Sequence, residues 1–165
     1  MDKVLLVNPE NCHACRTCEM VCSATHENTI NPFQSRIKII QWENEGEGFP
    51  AVCAQCEDAP CRAICPVKAI YVDESLSSVM IDYNLCIGCR MCIAVCPFGM
   101  MHFDSVTRKI IKCDLCEGEP ICVKFCPYEA LEYVDTAELE TGKRREGAKQ
   151  LLKFLRKTVS TQNNI

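Results

Sequence analysis

No segment of the sequence is apolar enough to cross a membrane as a helix. The longest apolar runs are of the kind Val4-Leu5-Leu6-Val7, against the roughly 20 residues a span requires. The N-terminus lacks a basic stretch followed by an apolar one, so no secretory signal is expected and the cytoplasm is the expected compartment. There is no surplus of basic charge: 18 Lys and Arg stand against 22 Asp and Glu, a net charge of -4. That excludes general nucleic-acid binding, which needs a cationic surface. There is no G-x-G-x-x-G turn for a dinucleotide. The three histidines, His13, His26 and His102, are scattered. His13, inside the first cysteine group, reads as a surface residue, with tuning of a bound group or coupling of a proton as the alternative, and His26 and His102 have no partner visible in the sequence. Nothing here suggests catalysis by the chain on its own.

What is abundant is cysteine, 16 of 165 residues. The 48% hydrophobic fraction counts them, and without them it falls to about 38%. That is thin for a chain holding more than one core, so bound groups are expected to stabilise the fold. The cysteines form four groups of four: Cys12, Cys15, Cys18, Cys22; Cys53, Cys56, Cys61, Cys65; Cys86, Cys89, Cys92, Cys96; and Cys113, Cys116, Cys122, Cys126. The first and third read C-x2-C-x2-C-x3-C, the second C-x2-C-x4-C-x3-C, and the fourth C-x2-C-x5-C-x3-C. Pro66, Pro97 and Pro127 follow the last three groups at once.

This spacing suits a [4Fe-4S] cubane. Closely spaced cysteines on one loop can wrap three iron corners. The fourth, on a short helical turn, points toward a neighbouring cluster, and in two-cluster ferredoxins it ligates that neighbour. Proline after it resists helix continuation. Four groups therefore imply four [4Fe-4S] clusters in two mutually stapled pairs. Disulfides fit poorly without a secretion signal. Zinc sites take two C-x2-C pairs across a longer loop, and the C-x3-C-P step has no zinc rationale. A metallothionein-like sponge would show C-x-C pairs, which are absent.

The groups are an internal repeat of strand, cluster loop, short helix and strand. Strand-like runs are Lys3 to Val7, Ile70 to Asp73, Val79 to Tyr83, Met101 to Asp104, Lys109 to Lys112 and Leu131 to Asp135, with polar turns at residues 74–78 and 105–108. The first group departs from the repeat: Ser23 follows Cys22, and 30 residues separate Cys22 from Cys53. That connection holds a strand-like Arg36 to Ile40 and an acidic loop with Glu43, Glu45 and Glu47. It reads as a solvated cover, with a partner-facing surface as the alternative. Trp42 reads as a packing residue over a cluster. Ala14 and Gly88 are expected to permit close backbone approach.

The tail from Ala137 has no cysteine and a charge of +4, leaving -8 on residues 1–136. Leu151, Leu152, Phe154, Leu155 and Val159 recur at helical spacing, which predicts a basic amphipathic helix. It would fold back on the acidic body or dock a partner. Head-to-tail self-association is a further expectation, since a heterologous contact that does not close makes a chain.

A cubane with four thiolate ligands has no open iron, so its chemistry is one-electron transfer. The motifs, with Cys56-Glu57-Asp58-Ala59-Pro60-Cys61, Lys112-Cys113-Asp114-Leu115-Cys116 and Cys15-Arg16-Thr17-Cys18-Glu19, resemble the four-cluster, polyferredoxin-like iron–sulfur subunits of modular oxidoreductases. Those subunits accompany tungsten or molybdenum pterin enzymes (the aldehyde oxidoreductases and the DMSO-reductase family among them), carbon monoxide dehydrogenases and hydrogenases. The resemblance covers residues 1–136. It implies an α+β fold of tandem, nested two-cluster ferredoxin-like modules with short strands and helices, and the tail predicts a C-terminal helix besides. It also implies that the first and fourth groups form an outer pair and the second and third an inner pair. The implied ligand sets are Cys12, Cys15, Cys18 with Cys126; Cys113, Cys116, Cys122 with Cys22; Cys53, Cys56, Cys61 with Cys96; and Cys86, Cys89, Cys92 with Cys65.

The expected function is electron relay from a tungsten or molybdenum pterin catalytic subunit to an acceptor, with a flavin subunit as an outlet. The alternatives are a free polyferredoxin carrier, or the subunit of a carbon monoxide dehydrogenase or hydrogenase.

Overall fold

Short apolar runs bounded by turn residues make short hairpins, and four of them organise the chain. The computed structural model describes residues 3–41 and 48–140, with Gly142 and Ala148. Strand β1 (Lys3–Val7) pairs antiparallel with β8 (Leu131–Asp135), so the two ends of the cysteine-bearing body meet. Strand β2 (Lys38–Gln41) pairs with β3 (Gly48–Ala51), β4 (Ile70–Asp73) with β5 (Ser78–Ile81), and β6 (His102–Phe103) with β7 (Ile110–Ile111), all antiparallel. The helices are α1 (Thr17–Glu27), α2 (Pro60–Ala63), α3 (Met91–Val95) and α4 (Ile121–Lys124), and each follows or contains the third cysteine of its group or the residue before it. This is a mixed α+β fold of ferredoxin-like dicluster modules.

The modules are nested. Helix α1 packs on α4 and α2 on α3. One core joins Cys12, Cys18, Cys22, Ile37, Ile39, Cys122, Ala130 and Leu131, drawn from the first and last parts of the chain. The other joins Ala59, Ile70, Val79, Cys92, Met101 and Ile110 from its middle. Neither is large, and cysteine is half of the first. Each remaining large side chain therefore matters. Ile110, 1% exposed, should cost about 2–5 kcal/mol as Ile110→Ala, measured by denaturant unfolding of the iron-loaded protein.

Strand β3 went unread in the sequence because Gly48 and Pro50 both argue against a strand. A two-stranded ribbon tolerates them: proline lacks a donor but sits opposite Ile39 in a ribbon with a free edge. Gly48 is needed there, because a Cβ would stand 2.8 Å from Ala14 Cβ. Ala14 thus does permit close approach. Gly88 does not: a Cβ there would meet nothing within 4 Å, and its φ of +68° is what calls for glycine. Strands β5, β6 and β7 are shorter than their apolar runs suggest.

Polar contacts tie the modules together. Asp104, in the β6–β7 turn, accepts from Gln34 Nε2 at 3.0 Å, from Thr107 Oγ1 and from the backbone N–H of Val106 and Thr107. Burial raises its pKa, but these donors together hold the carboxyl well below the usual carboxylate range. Among the described residues no helix is long and apolar enough to cross a membrane. Trp42, the acidic loop through Glu47 and the residues of the expected amphipathic helix lie outside the described residues, as does any self-association they would mediate. Residues 136–140 are helical.

Candidate metal centres

The local backbone of each cysteine group is the same device. The residue before the second cysteine is left-handed in all four: Ala14 (φ 51°), Gln55 (48°), Gly88 (68°) and Leu115 (58°). This conformation costs an L-residue roughly 1 kcal/mol or more and curls the loop so that successive thiols face one point. The C-P step is a second device. Lys68, Gly99 and Glu129, each three residues past the last cysteine, are also left-handed (54°, 65° and 52°). The next N–H then turns back onto the sulfur: Ala69 N to Cys65 Sγ at 3.3 Å, Met100 N to Cys96 Sγ at 3.4 Å and Ala130 N to Cys126 Sγ at 3.3 Å. Cys22, without the proline, has no such turn. Its sulfur accepts instead from Arg36 N at 3.3 Å, supplied by the long connection. That connection is therefore part of a thiol site.

The structure regroups the sixteen sulfurs across the motifs. Cys12, Cys15, Cys18 and Cys126 wall one cavity. Cys53, Cys56, Cys61 and Cys96 wall a second, and Cys86, Cys89, Cys92 and Cys65 a third. Their empty volumes, open mouths included, are about 310, 360 and 350 Å³. The remaining four crowd together: Cys113, Cys22 and Cys116 all raise the pKa of Cys122, after burial, which raises it most. Burial likewise pushes Cys18 and Cys113 up to about 12 and Cys92 up to about 11. Protons hold such thiols neutral until something better than a proton binds the sulfur.

These donor sets fit [4Fe-4S] clusters. Each site offers four thiols, the walls between them are mainly apolar, and backbone N–H groups point at sulfur, as anionic thiolates require. No disulfide joins the cysteines. When bound, the clusters supply one-electron chemistry. The chain's own part is to ligate, to exclude water and to set the field around each site.

One histidine is not as it reads in the sequence. His26, on α1, lies 3.4 Å by Nε2 from Cys116 Sγ and 3.6 Å from Asp114 Oδ1. Asp114 also pairs with Arg36 and accepts from Cys116 N at 3.0 Å. Burial first, and then Arg36, lower the His26 pKa, so the ring is neutral near pH 7 and one N–H can serve the sulfur. Sequence separation hid this, since Cys116 stands 90 positions after His26. His102 is half-buried on β6, where burial first and then Lys38 lower its pKa. His13 is exposed, as expected, with its ring 4.4 Å from that of Tyr128, edge to face. With a cluster bound at this site, His26→Leu should lower its midpoint potential and leave the iron content unchanged, because a donor to sulfur stabilises the reduced, more negative state. Redox titration followed by electron paramagnetic resonance would read this.

Comparison with known proteins agrees with the donor chemistry. The family described as 4Fe-4S dicluster domain matches residues 44–136. The aliphatic sulfonate oxidoreductase polyferredoxin-like subunit of Pyrococcus furiosus is 37% identical over 109 residues, 66% of this chain and 62% of that one. The chain thus spans somewhat under two thirds of that relative. The putative electron transport protein YsaA of Escherichia coli is 35% identical over 125 residues, 68% of this chain and 75% of that one. Among solved structures, a chain of the active-site complex BamBC of benzoyl coenzyme A reductase matches at 25% identity and a TM-score of 0.46, over 87% of each chain.

Proposed function

Because the chain belongs to the family of 4Fe-4S dicluster domains and carries four [4Fe-4S] clusters, we propose that it is the electron-transfer subunit of an oxidoreductase complex. In this reading one cluster is ligated by Cys12, Cys15, Cys18 and Cys126, and the next by Cys22, Cys113, Cys116 and Cys122. The third is ligated by Cys53, Cys56, Cys61 and Cys96, and the fourth by Cys65, Cys86, Cys89 and Cys92. The catalytic work belongs to a separate subunit, for which a tungsten or molybdenum pterin enzyme is the first choice. A flavin subunit would take the electrons onward.

One observation supports the reading: each thiol set lies beside another, and the succession of neighbours begins and ends on a set with an exposed cysteine. The set of Cys12 adjoins that of Cys122, since Cys18 raises the Cys122 pKa. Gln55, in the loop of Cys53 and Cys56, hydrogen-bonds the carbonyl of Cys113 at 2.9 Å. The sets of Cys53 and of Cys86 exchange Cys65 and Cys96 across the α2–α3 contact. The exposed cysteines are Cys15 and Cys89, one in each terminal set. Beside them stand exposed apolar side chains, Tyr128 at one end and Ile87, 65% exposed, at the other. A succession of sets ending on two exposed cysteines suits a relay between two proteins better than a shuttle with one docking face. The naming of the Pyrococcus furiosus relative as an oxidoreductase subunit supports the same class.

The test is metal analysis of the complex purified anaerobically on this chain from its native source. Iron with stoichiometric tungsten or molybdenum, and a co-purifying large subunit, is the expected result. Nickel would move the partner to the carbon monoxide dehydrogenase or hydrogenase class. Iron alone, with no second subunit, would favour a free carrier.

A further inference from the structure

We propose that Lys112 is a positioning residue that couples the two modules, its buried ammonium raising the potentials of the two adjoining sites, that of Cys53 and that of Cys113. The proposal rests on the cluster assignment above. Lys112 is 3% exposed. Its Nζ donates to Gln55 Oε1 at 3.0 Å, to the Cys113 carbonyl at 2.6 Å and to the Val79 carbonyl. All three of its protons are used, and all three acceptors are neutral. Among the described residues no carboxylate lies within ion-pair distance of it. Burying an uncompensated cation costs several kcal/mol, and neutral dipoles do not cancel its charge.

With clusters bound, the compensating anions would lie on either side. Lys112 lines the cavity of Cys53, Cys56, Cys61 and Cys96, and it directly precedes Cys113 of the adjacent set. It therefore stands on the wall of one set and bonds the backbone of a cysteine of the other. Gln55 holds it in place from the other module: Oε1 accepts from Lys112 and from Val79 N at 3.0 Å, while Nε2 donates to the Cys113 carbonyl. The other cations near the sites are different. Arg16 and Arg90 line the two terminal cavities but are exposed to water. Arg36 is buried but neutralised by Asp114. Lys112 is thus a buried, unpaired positive charge shared by two sites, and reduction of either adds negative charge beside it. With clusters bound at both sites, a single electron would leave one and reduce the other, with no proton or bond transferred.

The experiment uses the full chain with its clusters, as wild type, Lys112→Met and Gln55→Glu, by iron analysis and redox titration followed by electron paramagnetic resonance. The glutamate variant keeps the lysine and places a negative charge against it, so it decides the matter should the methionine variant lose iron. The expected result is a fall of two of the four midpoint potentials, equivalent to about a tenfold change in reduced fraction (~59 mV for one electron), with the other two unmoved. Four unchanged potentials, or four that move alike, would overturn the role of Lys112. An iron content in the wild type other than about sixteen per chain would instead overturn the cluster assignment.

Discussion

Cys126→Ala should remove the same quarter of the iron as Cys12→Ala, and the two together should remove no more than either alone. Cys126→Ala combined with Cys116→Ala should remove half. The two pairs have the same chemistry and differ only in whether the cysteines serve one site. Cys126 and Cys116 share a sequence motif, whereas Cys126 shares a cavity with Cys12. Ligation motif by motif would reverse the outcome: the pair within the fourth group would lose a quarter and the pair across groups a half. Iron and labile sulfide per chain, on anaerobically reconstituted protein, read the difference directly. Single variants should stay folded in the undisturbed module, since the two cores are separate.

Removal of all iron should abolish cooperative unfolding. The first core is built from four cysteines beside two isoleucines, an alanine and a leucine, which buries little apolar area for the chain it must order. Conformational entropy opposes folding by about 1–2 kcal/mol per residue. Small metallo-domains balance that with metal-ligand free energy, and unfold when the metal is stripped. The thiols here are buried, and burial pushes several well above their ordinary range, so without iron the sites would hold neutral S–H groups that bind one another weakly. Chelation under reducing conditions should therefore flatten the thermal transition in circular dichroism. A sharp transition in iron-free protein would show that apolar packing alone suffices.

Residue by residue, the chemistry was legible before the fold. The C-x2-C spacing was read as a tight loop around a cubane, and the structure adds that Ala14, Gln55, Gly88 and Leu115 are left-handed there. The strands Lys3–Val7, Ile70–Asp73 and Leu131–Asp135 were legible because each is an apolar run ended by an acidic or turn residue. Strand β3 was not, because local propensity speaks against Gly48 and Pro50 and only pairing with β2 overrides it. The partners of His26 were hidden for a different reason: a contact across 90 residues leaves no periodicity to read.

By itself, then, the sequence determined the kind of group bound, since ligand type and short-range spacing are properties of a few consecutive residues. It also determined that such groups recur four times. Only the tertiary structure decided which sulfurs face one cavity, because that depends on α1 meeting α4 and α2 meeting α3. It decided that Arg36 supplies to Cys22 the N–H that the missing C-P turn supplies elsewhere. And it decided that Lys112, one charge among eighteen basic residues in the sequence, lies buried between two sites. Electrostatic strength depends on burial and on distance through space, and neither is written in the order of residues along a chain.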